Sequence, residues 1–118
     1  MASRFTELVI DCADPERVAG FWADVLGYEV TERGPQGEVE LSGTPGDVKL
    51  VFVPVPEPKT LKNRVHIDVN PVGIDQAQEL QRLLALGARE VDVGQGQQTW
   101  VVLADPEGNE FCLLRRQL

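Results

Sequence analysis

His66 is the only histidine in the chain, and the two cysteines are Cys12 and Cys112. His66 lies in "RVHIDV" and Cys112 in "EFCLLR", short stretches with the residue alternation of β-strands. A third such stretch, "TELVIDC", carries Glu7. Successive side chains of a strand point to opposite faces. Leu8 and Ile10 alternate with Glu7, just as Val65, Ile67 and Val69 alternate with Arg64, His66 and Asp68. If each apolar set packs under a helix, Glu7 and His66 face the open side, and the phase that buries Phe111 turns Cys112 the same way. Carboxylate, imidazole and thiolate converging in one cleft would suit Zn²⁺ or another divalent transition metal. Glu7 and His66 are also the candidates for catalytic acid–base work.

Each of these residues has a plainer reading. His66 can be a strand histidine hydrogen-bonded to Glu7 or Asp68. Glu7 can merely pair with it, and Cys112 can be a small buried core residue, the usual fate of a free cysteine. Phe52 and Trp100 are candidates for an aromatic ligand wall or for ordinary sheet packing. Lys59, Lys62 and Arg64 form the one local cluster of positive charge, suited to an anionic substrate group or to a solvated linker. "DPEGN", Asp105 to Asn109, is turn chemistry: Gly108 supplies positive φ, and the Asp105 and Asn109 side chains can bond the local backbone.

The elements that would position these groups recur twice. "TELVIDCADPERVAGFWADVLGYEV" reads as a strand and a helix with Asp14 as N-cap, Pro15 and Glu16 in the first turn and Gly27 as C-cap. Val18, Phe21, Trp22, Val25 and Leu26 recur at helical spacing. "YEVTER", "EVELSG" and "VKLVFVPV" then read as strands. The second half repeats the plan: a strand, a helix with Ala77, Leu80, Leu84 and Ala85 on one side ending at Gly87, and strands at "REVDV", "TWVVLA" and "EFCLLR". "LSGTPGDVKLVF" lies over "LADPEGNEFCLL" without a gap, which sets Leu50 against Cys112. An internal duplication is the simplest account. The expected fold is α+β, two tandem βαβββ modules (about 4–57 and about 62–118) forming a half-open barrel with a central cleft, in one domain over 1–118.

Composition narrows the function. The chain has 118 residues, 42% hydrophobic and 25% charged, which is globular composition without a membrane-length apolar run. A net charge of −8 argues against nucleic acid as a partner. The start of the chain lacks the features of a secretory signal, and the cysteine spacing suggests free thiols, so the cytoplasm is the expected location.

The paired modules, "DPERVAGFWADVLGYEV", and "NRVHIDV" with "DPEGNEFCLL" together resemble the vicinal oxygen chelate superfamily, which includes glyoxalase I, extradiol dioxygenases and the fosfomycin- and bleomycin-resistance proteins. The second pair looks most like its glyoxalase-like subgroup. In metal-dependent members each module gives a ligand from its first strand and one from its last. Position by position, these places fall on Glu7, His66, Cys112 where a glutamate is usual, and Leu50 or the nearby Phe52. The resemblance therefore implies a small-molecule-binding protein with a degenerate metal site, sequestering a ligand or acting without metal. The alternative is a lyase, isomerase or dioxygenase dependent on a divalent metal (Zn, Ni, Mn or Fe) held by Glu7, His66 and Cys112. Phe52, Arg64, Asp68 and Trp100 are the expected ligand contacts, and a homodimer is the expected assembly.

Overall fold

The computed structural model describes residues 2–118 and divides into two compact units, one ending at Pro58 and the other spanning Lys59–Leu118. Each unit is a four-stranded mixed sheet with one helix, and no strand of one sheet pairs with a strand of the other among the described residues. The sheets thus do not close into a barrel.

In the first unit β1 (Glu7–Cys12) leads into α1 (Pro15–Leu26), followed by β2 (Glu29–Arg33), β3 (Val39–Ser42) and β4 (Lys49–Pro54). The sheet order is β1-β4-β3-β2, with β1 parallel to β4 and the other pairs antiparallel. Helix α1 starts where the sequence predicts. The Asp14 side chain accepts from the Arg17 N–H, Pro15 occupies the first turn, and Gly27 ends the helix in the left-handed region at φ +68°. Val18, Phe21, Trp22 and Val25 are buried on one side of α1, with the Phe21 and Trp22 rings edge to face at 5.4 Å. This side packs on β3 and β4. Register places Leu8 beside Leu50, and Ile10 and Val39 beside Phe52, so these residues share the helix-facing side of the sheet.

In the second unit β5 (Asp68–Val69), α2 (Gln76–Leu86), β6 (Arg89–Glu90), β7 (Val101–Ala104) and β8 (Glu110–Leu113) repeat the plan, with sheet order β5-β8-β7-β6. Asp75 and Gln78 form a reciprocal capping box at the start of α2. The buried face of α2 differs from the expected one. Leu83 is fully buried and Glu79 is buried, its carboxylate held twice by Arg82 at 2.7 and 2.9 Å, whereas Ala77 and Ala85 are exposed. A carboxylate that is paired and hydrogen-bonded can occupy a buried position that periodicity alone assigns to apolar residues. The Gln76 side chain fastens the first turn of α2 to the Leu113 and Thr99 carbonyls.

The two modules align differently from the gapless overlay. Leu41 pairs with Leu50 in the first unit, but Leu103 pairs with Phe111 in the second. The connection over residues 43–48 is one residue longer than that over residues 105–109. The counterpart of Cys112 is therefore Val51, and Leu50 corresponds to the core residue Phe111. The parallel pairs agree, because Val9 lies beside Val51 and Asp68 beside Cys112. Two residues earlier in each module, Glu7 and His66 correspond, as the sequence suggests, although His66 precedes the two-residue β5, where the alternation predicts a strand running through it.

Candidate ligand and metal site

The short parallel pairing of β5 with β8 brings the second unit's chemistry together. Asp68 and Cys112 are direct neighbours across the two strands, a register pinned by the Cys112 N–H donating to the Ile67 carbonyl at 3.0 Å. Paired residues point to the same side of a sheet, and His66 lies two residues before Asp68. The His66 Nε2 is 3.1 Å from Asp68 Oδ1, and the potential ligand atoms of His66, Asp68 and Cys112 all lie within 4.8 Å of one another. Both sulfurs are free thiols. Cys112 is only 8% exposed. Burial and then the Asp68 carboxylate push its thiol pKa up, while Lys62 opposes them.

These groups form the polar floor of a hollow of about 320 Å³. Val102, paired with Cys112, and Leu114, two residues further along, supply an apolar wall with Trp100 and Val93. Trp100 remains 37% exposed, so one edge of its ring meets solvent. The rim carries Lys62 and Glu110. Burial acts to raise the Glu110 pKa, but hydrogen bonds from the Asn63 N–H at 2.9 Å and Lys59 Nζ at 3.1 Å outweigh it and hold the carboxyl below its ordinary value. Asn63 also accepts from the Glu110 N–H at 2.8 Å, tying the segment before His66 to β8.

The turn feeding β8 is built as its residue types predict. Asp105 Oδ1 accepts from the N–H groups of Glu107 and Asn109, both at 2.9 Å, and Oδ2 from the Asn109 side chain at 3.2 Å. Gly108 has φ +88°. Asp105 is buried in this network, which places Cys112 in phase with Asp68.

Of the candidate residues, His66, Asp68, Cys112 and Trp100 meet in this hollow. Arg64 is exposed and outside its lining. Phe52 is fully buried, beside Ile10 and Val39 on the helix-facing side, which makes it core and not a ligand wall. Leu50 is buried on the same side, and the open-face place is that of Val51. Glu7 lies on the open side of the first unit's sheet, in a hollow with Glu32, Glu38, Glu40 and Val51. Sequence reasoning left out Val102 and Leu114, although their alternation with Leu103 and Leu113 is visible. Val93 and Gln95 come from an irregular segment with no periodicity to reveal them.

No curated protein matches the sequence significantly. Among solved structures, the chain is similar to the fosfomycin resistance protein FosX from Mesorhizobium loti, at 16% identity and a TM-score of 0.72 over 100% of this chain and 95% of that one. A variant of FosX from Listeria monocytogenes, complexed with Mn(II) and 1S,2S-dihydroxypropylphosphonic acid, matches at 16% identity and a TM-score of 0.70 over 97% and 90% of the two chains. A glyoxalase/bleomycin resistance protein/dioxygenase family enzyme from Burkholderia phytofirmans matches at 18% and 0.68 over 94% and 97%. The fold is thus the glyoxalase-like one. The model of the glyoxalase-like domain matches residues 7–114. With its two strand–helix–strand modules accounted for, the chain belongs to the glyoxalase-like domain family.

Proposed function

We propose that the hollow of the second unit binds a small molecule, and that the metal arrangement of the family has diverged around it. The observation that carries this reading is the pairing of an apolar wall, Trp100, Val102 and Leu114, with a floor of three polar side chains, His66, Asp68 and Cys112. Ligand sites of this kind fix orientation with a few polar groups and gain affinity from apolar contact. Val51, an alkyl side chain at the first unit's last-strand place, supports the divergence, as does a thiol where a glutamate is usual. Sequestering the ligand, or acting on it with the protein's own side chains, would use the His66 and Asp68 pair as its proton-handling group. Two free thiols suit a reducing compartment, so a cytoplasmic location and the homodimer of the sequence reading belong to the same proposal.

The test is a small-molecule screen by thermal shift and tryptophan fluorescence. Trp22 is buried and Trp100 is not, so a fluorescence change lost in Trp100→Phe reports the hollow. A hit whose affinity is unchanged in both Trp100→Ala and His66→Ala would overturn the proposed location.

A second reading is a divalent-metal-dependent lyase, isomerase or dioxygenase, favoured by the convergence of His66, Asp68 and Cys112. Its support from relatives is the Mn(II) of the Listeria FosX structure. An imidazole, a carboxylate and a thiol are competent donors, so the residues fit a metal. When bound, such an ion supplies Lewis-acid polarisation of substrate oxygens. His66, Asp68 and Cys112 would hold it, Trp100 and Leu114 would pack against the substrate's apolar part, and Lys62 at the rim would meet negative charge. Metal content of wild type and of His66→Ala, each purified without chelator, tests this reading.

A further inference from the structure

We infer that Lys62 sets the charge specificity of the second unit's hollow, selecting small ligands that carry one negative charge, a carboxylate above all, beside a flat apolar body. The inference deepens the reading of this hollow as a small-molecule site and rests on it.

The charged side chains lining the hollow are Lys62, His66, Asp68 and Glu110. Asp68 is engaged by His66 at 3.1 Å, and Glu110 by Lys59 Nζ at 3.1 Å and the Asn63 N–H at 2.9 Å. Lys62 differs from them. Its Nζ donates only a long hydrogen bond, 3.5 Å to the Asn63 carbonyl, and among the described residues no carboxylate is in ion-pair contact with it. The acids of the hollow are thus taken, and the cation at its rim is not.

Lys62 is exposed, but the chain on either side of it is fastened to β8. Lys59 and Asn63 both hold Glu110, and the Asn63 side chain also accepts from the Glu110 N–H at 2.8 Å and donates to the Glu110 carbonyl at 3.2 Å. An ammonium on so fixed a stretch loses less freedom when it meets an anion than one on a loose loop does. The net charge of −8 does not decide the matter. Salt screens charges beyond about 8 Å at physiological ionic strength, so the contact partner counts for more than the sum over the chain.

The body of the ligand follows from the wall. Trp100, Val102 and Leu114 offer an apolar surface without hydrogen-bonding demands, and an indole face favours a flat partner. At about 320 Å³ the hollow is near the lower end of the roughly 300 to 1,000 Å³ usual for ligand sites. A carboxylate at the rim keeps water on the oxygen lone pairs that Lys62 does not use, so its desolvation cost stays small.

The test is equilibrium dialysis of the full chain at neutral pH against probes of one shape: 2-naphthoate, neutral 2-naphthamide and cationic 2-naphthylmethylammonium. Expected is naphthoate binding about fivefold tighter than the amide at low salt, the ammonium weakest, and a preference that shrinks as salt is added. Lys62→Gln brings the naphthoate down to the level of the amide, Lys62→Arg keeps the preference, and Lys62→Glu reverses it in favour of the ammonium. Unchanged amide affinity in each variant shows that the hollow is intact. Equal binding of naphthoate and amide in wild type, tightest binding of the ammonium, or a preference that survives Lys62→Gln would overturn the inference. So would no binding of any probe up to about 1 mM. Trp100→Ala keeps the failures apart. Binding that is lost in this variant but blind to charge sinks the role of Lys62 and leaves the hollow as the ligand site. A Lys62-dependent preference whose probe affinities are unchanged in both Trp100→Ala and His66→Ala moves the site away from the hollow and sinks both readings.

Discussion

Cys112 combines a core residue's burial with a position on the open side of its sheet. Its backbone belongs to the β8 ladder, and its sulfur meets Asp68 and the hollow. In metal-free protein the thiol acts mainly as a small apolar side chain, and Cys112→Ala should lower stability by about 1 to 2 kcal/mol because little volume is lost. Denaturant unfolding checks this, and a loss well above 3 kcal/mol would mean that Cys112 holds more of the fold than its packing implies. Tyr28 offers a second residue-scale measurement, because it is the only tyrosine in the chain. Burial and then the Asp47 carboxylate raise its pKa, and its hydroxyl donates to the Val48 carbonyl at 3.0 Å. The folded chain therefore keeps a proton that the unfolded chain releases near pH 10, so stability falls as pH rises past that value. Phenolate absorbance should titrate later in native than in denatured protein, and Tyr28→Phe should lessen the alkaline loss of stability. Coincident native and denatured titrations would contradict the raised value.

At the scale of elements, the turn before β8 does more for the hollow than any single wall residue. Asp105 satisfies the N–H groups of Glu107 and Asn109 and is itself 2% exposed. Asp105→Ala leaves those donors unmet and should cost about 2 to 3 kcal/mol. The same variant should weaken binding in the hollow, since β8 carries Cys112; calorimetric unfolding together with a Co²⁺ titration checks both effects. This turn and α1 were readable in the sequence because their information is local: a capping aspartate, a proline in the first turn, a glycine at positive φ. The face of α2 was not, because Glu79 is buried through its pairing with Arg82, and composition alone cannot announce that partner. Asp68 was recognised as a ligand contact, but its place in the donor cluster depends on a strand pairing between residues far apart in sequence.

For the whole molecule, duplication made the order of elements along the chain and the Glu7–His66 correspondence legible, yet it also produced the main error of register. A gapless overlay assumes connections of equal length, whereas residues 43–48 outnumber residues 105–109 by one. A shift of one residue exchanges the two faces of a strand, which is why Leu50 and Phe52 belong to the core and Val51 to the open side. The corrected register can be tested without ligand or metal. Leu50 is 4% exposed among the apolar residues facing α1, so Leu50→Gln must bury an amide without a ready partner and should cost about 3 kcal/mol or more. Val51 shares the open side with Glu7 and Glu40, where the side chain of Val51→Gln can reach water, and that change should cost no more than about 1 kcal/mol. Urea unfolding of the two variants decides between the registers: with Leu50 as the counterpart of Cys112, the order of the two losses would reverse.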